Sequence, residues 1–325
     1  MKRLFKTLGL GVVMLLLATG YGVSAVALWF HVGLIATVIA ATMGAAVIWV
    51  VLVSDHRARD IGAALVPLIG VVVWWTGIEP SNDRTWAPEL AETLTADING
   101  SQVTLHNIRN FTWRSETDYD PRWESRSYDL DTLSSLDVTL SYWGLDKIAH
   151  VLVSFGFEDG ERIVFSVEIR KELGEAYSEL GGLFKQFELS LIAATEEDVV
   201  YLRTNARDPK EDVYLYPLKV NAEARKALFL SYAGLANRLS EEPYWYNTIT
   251  ANCTSVIYRL VRSFNPGRQF DLRFILSGGL PEYLVEQDML AFEEPLGDYR
   301  ARAAISAKAQ AIQPGQSYSE IIRAY

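Results

Sequence analysis

Beyond its apolar first quarter the chain holds one cysteine, Cys253, and two histidines, His106 and His150. A thiolate attacks carbonyl carbon, an imidazole moves the proton, and a carboxylate orients the imidazole, so a Cys/His/acid set would perform acyl transfer or hydrolysis through a covalent intermediate. One cysteine and two histidines do not supply a zinc cluster with ligand spacing, and no metal is expected.

An acid reaches His150 through strand register. The segment Ile148 to Arg170 reads as a hairpin turning at Glu158-Asp159-Gly160, with Gly160 in the left-handed position of a G1-bulge loop. Pairing Phe157 with Glu161 puts Val151 across from Val167, Val153 from Phe165 and Phe155 from Ile163, which makes one face wholly apolar. On the other face the same register sets His150 opposite Glu168, with Ser166 and Arg170 on the diagonals. The cysteine belongs to a helix. Asn252 is an N-cap type, and Cys253, Val256, Ile257, Leu260, Val261 and Phe264 follow at helical spacing. Cys253 thereby falls in the first turn, where the helix dipole and unbonded N–H groups favour thiolate.

Plainer readings compete with this one. A cysteine on an apolar stripe is most often an inert core residue, and a histidine next to a glutamate is often only a satisfied pair. Three features favour chemistry: the body is expected in an oxidising compartment, the cysteine is alone and so has no intramolecular disulfide partner, and it opens a capped helix; the carboxylate beside the histidine adds to them. His106, on a strand with Asn107 and Arg109, reads as structural. Glu196-Glu197-Asp198 reads as a solvated loop.

The elements that must hold these residues give an α+β pattern, strands first and helices after. Strands are expected at Val103 to Trp113, Leu136 to Trp143, the hairpin, Val199 to Thr204 and Val213 to Leu218. Helices are expected from Ala222 to Leu239 and from Cys253, and Ser115 to Asp131 reads as a polar loop. Ahead of this body lie three apolar runs, Leu8 to Phe30, Val32 to Val53 and Ile61 to Ile78, each long enough for a hydrocarbon core of about 30 Å. A signal peptide alone would not repeat three times. Lys2, Arg3, Lys6 and the loop Ser54 to Asp60 with Arg57 and Arg59 predict a cytoplasmic N-terminus and an exported body in the periplasm of a bacterial inner-membrane protein. No Asp, Glu, Lys or Arg interrupts the runs, which reads as an anchor without an ion pathway, and Gly44 with neighbouring alanines suits close helix packing. The division expected is a membrane anchor over residues 1–78, a body over 79–298 entered through a polar linker from Glu79 to Pro88, and a partly helical tail over 299–325.

From residue 79 on, 25 basic residues face 38 acidic ones, a formal charge of −13. An acidic body without Lys/Arg clusters excludes nucleic acid as a partner. Gly181-Gly182 has no phosphate-loop lysine, so neither a nucleotide nor another cofactor is expected. Nine Trp, 13 Phe and 16 Tyr rule out disorder.

Several short blocks carry a family resemblance: His-Asn-Ile-Arg-Asn-Phe at 106 to 111, Pro-Arg-Trp-Glu-Ser-Arg at 121 to 126, Ile-Ala-His at 148 to 150, Phe-Ser-Val-Glu-Ile-Arg at 165 to 170, and Trp-Tyr-Asn with Asn-Cys-Thr at 245 to 254. From about Trp86 to Phe264 the chain resembles the Lnb N-terminal periplasmic domain family, long described as a domain of unknown function. That family is similar to circularly permuted NlpC and papain-like thiol enzymes, in which the histidine strand precedes the cysteine helix. The Asn-Cys step also resembles lecithin:retinol acyltransferase-like proteins, although their Glu-His-Phe continuation is here Thr254-Ser255-Val256. The resemblance implies acylation of lipoprotein amino termini, with Cys253 as nucleophile, His150 as base and a third residue on the following strand, Glu168 or Ser166. Asn247 and Asn252 are candidates for positioning or oxyanion donation, and Asp118, Arg122, Trp123, Arg126 and Arg170 either bind substrate or lock their loop. The expected activity is a Cys-thioester acyltransferase or hydrolase with membrane lipids, lipoproteins or other envelope components as partners. The rival readings are a cell-wall or protein amidase using the same site, and a non-catalytic envelope binding module.

Overall fold

The structure, a computed structural model, describes the backbone of residues 2–324 and the side chains of residues 9–324, so the charges of Lys2, Arg3 and Lys6 lie outside the described side chains. It consists of two compact units: residues 1–81 with 178–186, and residues 82–177 with 187–325.

The first unit is built on α1 (Lys2–His31), α2 (Leu34–Val53) and α3 (Arg57–Thr76). The stretches Gly9–His31, Leu34–Val53 and Arg57–Thr76 are long and apolar enough to cross a membrane. Gly44 of α2 faces the Tyr21 ring of α1 so closely that a side chain there would collide with it. The Tyr21 hydroxyl donates to the Ala64 carbonyl of α3 at 2.9 Å, joining the helices through a polar group that hydrocarbon could not satisfy. The third helix starts at Arg57, inside the stretch read as a loop.

The second unit is a mixed sheet with helices on it. In chain order its strands are β1 (Thr95–Asn99), β2 (Gln102–Arg109), β3 (Thr112–Trp113), β4 (Tyr119–Asp120), β5 (Trp123–Asp129), β6 (Leu133–Tyr142), β7 (His150–Phe157), β8 (Arg162–Arg170), β9 (Glu188–Ala194) and β10 (Asp212–Pro217). Its helices are α4 (Glu196–Tyr201), continued by a π turn at Leu202–Ala206, then α5 (Ala222–Glu241), α6 (Cys253–Phe264), α7 (Leu280–Glu286), α8 (Leu296–Ala303), α9 (Ser306–Gln310) and α10 (Tyr318–Ile321). The sheet order is β1-β2-β9-β8-β7-β6-β10, with β5 on the free side of β2 and β3 paired with β4 apart from it. The neighbours are antiparallel except β2 and β9, which meet in parallel at Arg109 and Ala194.

Period-two patterning divides the sheet into two cores. Val151, Val153 and Phe155 of β7 and Ile163, Phe165 and Val167 of β8 pack on Phe229, Tyr232, Ala233 and Ala236 of α5, with Val256 and Leu260 of α6 alongside. The opposite face, with Leu152, Val164, Ile192 and Ala194, packs on Val199 and Val200 of α4 and on Ile305, Ala309, Tyr318 and Ile322. Ile305, Ala309, Tyr318 and Ile322, from the stretch read as a tail, thus complete a core of the body. The linker stretch is likewise fastened from Asn82 onward, whose amide donates to the Leu239 carbonyl at 2.8 Å.

Three sequence expectations are corrected. Val199 to Thr204 is helical, not a strand. Three acids in the first turn suit the positive helix end, and Asp198 is fully buried, accepting from Arg109 Nη2 at 2.8 Å, the Phe111 N–H at 2.8 Å and Trp113 Nε1 at 2.8 Å. These tertiary bonds override the β-propensity of Val-Val-Tyr. Glu196-Glu197-Asp198 is accordingly helical and not a solvated loop, with Glu196 and Asp198 buried and Glu197 exposed. The Ser115 to Asp131 stretch contains β4 and β5 and is only partly loop, because β5 adds to the edge of β2.

A cluster of charges seals the second core. Arg323 donates to Asp137 Oδ2 at 2.7 Å and to Glu196 Oε2 at 2.7 Å, while Ser154 donates to Glu196 Oε1 at 2.6 Å and Arg162 reaches Asp137 at 3.0 Å. Both carboxylates are buried. Arg323→Met should therefore cost about 3–5 kcal/mol, because it strands buried charge. Thermal unfolding of the detergent-solubilised protein would show this as a lowered Tm at neutral pH, with a smaller gap to wild type in acid, where the carboxylates protonate.

Candidate active site

The β7–β8 ladder follows the register derived from the turn. Leu152 pairs with Ser166, Val153 with Phe165, Ser154 with Val164, Phe155 with Ile163 and Gly156 with Arg162. The Phe157 N–H bonds the Glu161 carbonyl at 3.0 Å, and Gly160 sits at φ 90°. Extended to the start of β7, the register brings His150 Nε2 to 3.1 Å from Glu168 Oε1 and to 2.7 Å from Ser166 Oγ. Ser166 in turn donates to Glu168 Oε1 at 2.6 Å. The direction of these bonds follows. An ionised carboxylate only accepts, so the Ser166 proton points to Glu168 and the Ser166 oxygen accepts from Nε2–H. Nδ1 is then the ring atom left free of this pair, and the Cys253 thiol lies close enough to His150 and the Val151 backbone for both to favour its thiolate.

Cys253 is the first residue of α6. The Asn252 side chain accepts from the Ser255 N–H at 2.8 Å, and Ser255 Oγ accepts from the Asn252 N–H at 2.9 Å, a reciprocal cap that fixes where the helix begins. The Asn252 amide also donates to the Thr248 carbonyl at 2.8 Å, and the Asn247 side chain accepts from the Ile249 and Thr250 N–H groups. Both asparagines shape the entry to α6. On the other side, Ser277 Oγ accepts from the Ala149 N–H at 2.9 Å and donates to the Ala149 carbonyl at 2.6 Å, pinning the residue before His150. The backbone at Asp146 and Lys147 lies against Gly278 where a side chain would collide, so Gly278 is required for that approach.

Electrostatics set the protonation. Burial opposes a charged imidazole, but the Glu168 carboxylate and the bond to Cys253 outweigh it and raise His150 to about 9. Burial likewise opposes a thiolate, yet the bond and charge of His150 bring Cys253 below the ordinary cysteine range. For Glu168 burial is overcome by His150 and Arg203, which hold it well below the usual carboxylate range. These effects keep His150 protonated near neutral pH and shift Cys253 toward the thiolate.

Arg203 escaped the sequence reading. It sits on the π turn, is buried, and donates to Glu168 Oε1 at 3.0 Å and to the Val199 carbonyl at 2.7 Å, with Glu211 4.0 Å from its Nε. Glu211 is held by Ser141, the residue of β6 that pairs with His150. An arginine inside an otherwise apolar run was the available signal, hidden by reading that run as a strand. Ser277 left no signal of its own.

Other candidates lie elsewhere. Arg170 is buried, bonds the Leu90 and Ala91 carbonyls at 3.1 and 3.0 Å and lies over the Trp86 ring at 4.4 Å. Trp123 packs edge-on to Phe111 at 5.1 Å. Arg122 pairs with Glu124, Arg126 with Glu124 and with Glu161 at the turn end of the hairpin, and Asp118 with Arg114. His106 bonds Asp97 and Ser125. Among the described residues, no group of three or more His, Cys, Asp and Glu is arranged to hold a metal ion.

The sequence profile of the Lnb N-terminal periplasmic domain matches residues 119–301, more than half of the chain. The chain belongs to the Lnb N-terminal periplasmic domain family. The match starts later than Trp86 and runs past Phe264, and it takes in His150, Ser166, Glu168, Arg203 and Cys253. No curated protein and no solved structure matches the chain. Membership of the Lnb N-terminal family, with three helices apolar and long enough to span, makes this a membrane-anchored protein with a periplasmic domain.

The protonation scheme predicts how the thiol titrates. In wild type, iodoacetamide should alkylate Cys253 with a midpoint below the ordinary cysteine value. In His150→Ala, which removes the two contributions of His150 that favour the thiolate and leaves the burial that opposes it, the midpoint should move above wild type. Rates measured across pH by intact mass decide this, and identical midpoints would refute the ion pair.

Proposed function

We propose that this Lnb N-terminal family member is a thiol enzyme that moves acyl groups of membrane lipids or lipoproteins through a thioester on Cys253, at the outer face of a bacterial inner membrane. The observation that carries the reading is the hydrogen-bonded series His150, Ser166, Glu168 with the Cys253 thiol beside His150 at the start of a capped helix. The histidine strand precedes the cysteine helix, which is the order of a circularly permuted NlpC or papain-like enzyme. The basic residues Lys2, Arg3, Lys6, Arg57 and Arg59 support an N-terminus on the cytoplasmic side. The anchor favours lipid chemistry because it confines the domain to the surface where acyl donors are.

In the first half-reaction the Cys253 thiolate adds to an ester carbonyl carbon and the carbonyl electron pair moves onto oxygen. The Cys253 backbone N–H, in a first turn whose N–H groups have no partners within the helix, faces that oxyanion. As the tetrahedral species collapses, the C–O bond breaks and the alkoxide takes the imidazolium proton, leaving a lyso-lipid and the thioester. In the second half an amine, or water, attacks the thioester, neutral His150 takes its proton, and the thiolate departs. Ser166 and Glu168 keep the imidazole turned with Nδ1 toward sulfur throughout, and Arg203 keeps Glu168 charged.

Wild-type protein in phospholipid nanodiscs should release lyso-lipid when given a lipopeptide amine. Cys253→Ser should abolish release, and His150→Ala should slow it roughly 10²–10⁴-fold. Turnover should fall as pH rises through about 9, where His150 loses the proton it must give. In Glu168→Gln this alkaline limb should move toward lower pH, because the charge that supports the imidazolium is gone. Lyso-lipid release by Cys253→Ser equal to wild type would overturn the reading in favour of a binding module.

A further inference from the structure

The segment Ser178–Gln186 joins β8 to β9 in sequence but belongs to the helical unit. It is folded on itself: Ser178 Oγ accepts from the Gly181 N–H at 3.0 Å, and the Gly181 carbonyl accepts from Phe184 at 2.9 Å and Gln186 at 3.1 Å. Its far side grips two helix ends. Lys185 Nζ donates to the Trp75 carbonyl at 2.9 Å and the Ile78 carbonyl at 3.1 Å, at the C-terminus of α3 where carbonyls have no partner within the helix. His31 Nε2, at the end of α1, donates to the Phe184 carbonyl at 2.7 Å. The Phe184 ring stacks on Phe30 at 5.9 Å and meets Trp75 edge-on at 5.9 Å, while the Lys185 ammonium lies 5.3 Å from the Trp75 ring centre. His31 meets both Trp74 and Trp75 edge-on. Lys185 adopts φ 54°, a left-handed conformation unfavourable for a lysine, and it is this turn of the backbone that carries the grip.

We propose that Ser178–Gln186 is a membrane-contact loop seated in the headgroup zone of the bilayer, with Leu180 reaching the acyl boundary. Trp74, Trp75, Phe30, His31, Phe184 and Lys185 form the kind of aromatic and basic belt that sits at a membrane–water interface, and it caps helices of spanning length and apolarity. Leu180 is 59 % exposed, an apolar side chain that the loop's own packing leaves out. The Lys185 amine is taken up by two carbonyls, so the contact is with interfacial apolar matter and does not depend on capturing a phosphate. A bilayer is favoured over a protein partner because the loop is continuous with the helix ends that already meet it. The strand entering this loop carries Ser166 and Glu168, so chain connectivity ties the candidate site to the bilayer by more than the linker after α3. The inference does not rest on the acyl-transfer reading.

The test uses the whole chain in nanodiscs with Cys253→Ser as a cysteine-free background. A nitroxide is placed by Leu180→Cys, and by Asp159→Cys at the exposed β7–β8 turn as reference. The Leu180 label should show a several-fold lower collision rate with an aqueous nickel chelate than the Asp159 label, and a higher rate with oxygen. Adding Lys185→Glu, which releases the grip on α3, should return the Leu180 label to the aqueous pattern. Equal nickel accessibility at the two labels would overturn the proposal. A Leu180 label that stays lipid-accessible with Lys185→Glu would overturn the role given to Lys185.

Discussion

Everything at the candidate site depends on one pairing, that of β7 with β8 in the register set by their turn. A slip of a single residue would turn Val151, Val153 and Phe155 out of the core they share with α5, and would turn His150 into it. The apolar face therefore enforces the polar one. Burial of aromatic and branched side chains under α5 fixes which residue stands across from His150, and that residue is a glutamate with a serine on the diagonal. Cys253 adds only the requirement that α6 begin at a defined residue, which the Asn252–Ser255 cap supplies.

Holding charge inside a fold is costly unless each charge is answered, and the second face of the sheet is arranged around that demand. Glu168 is answered by His150, Ser166 and Arg203, Asp198 by Arg109, and Asp137 and Glu196 by Arg323. The elements that deliver these partners, α4 with its π turn and the C-terminal helices, are short. They are held less by their own propensity than by the ion pairs and apolar contacts they complete. A π turn extending α4 is what sets Arg203 against Glu168, in keeping with the tendency of such turns to occur at functional sites.

This division explains what could be read from the residues alone. The hairpin was legible because its turn glycine and its period-two pattern are local, and the α6 start because a cap and a stripe are local as well. The hairpin register put Glu168 first and Ser166 next as partner of His150, and the structure brings both to it, with Ser166 between Nε2 and the carboxylate and Glu168 also 3.1 Å from Nε2. Arg203, Ser277 and the buried acids were not legible. Each owes its place to a partner dozens of residues away, and in α4 the local β-propensity pointed the wrong way. The strand β9 was missed because Glu188-Leu-Ser-Leu-Ile-Ala-Ala is buried on both faces and shows no clean alternation.

In the proposed reaction Cys253 is the nucleophile and His150 keeps it ready to accept an acyl group. Intact-mass analysis of the purified protein in phospholipid without acceptor tests it most directly, with Cys253→Ser and His150→Ala alongside. Wild type should carry an acyl-sized adduct that hydroxylamine removes and that neither variant forms. A wild-type chain that stays unmodified, with a thiol no more readily alkylated than an ordinary buried cysteine, would contradict it.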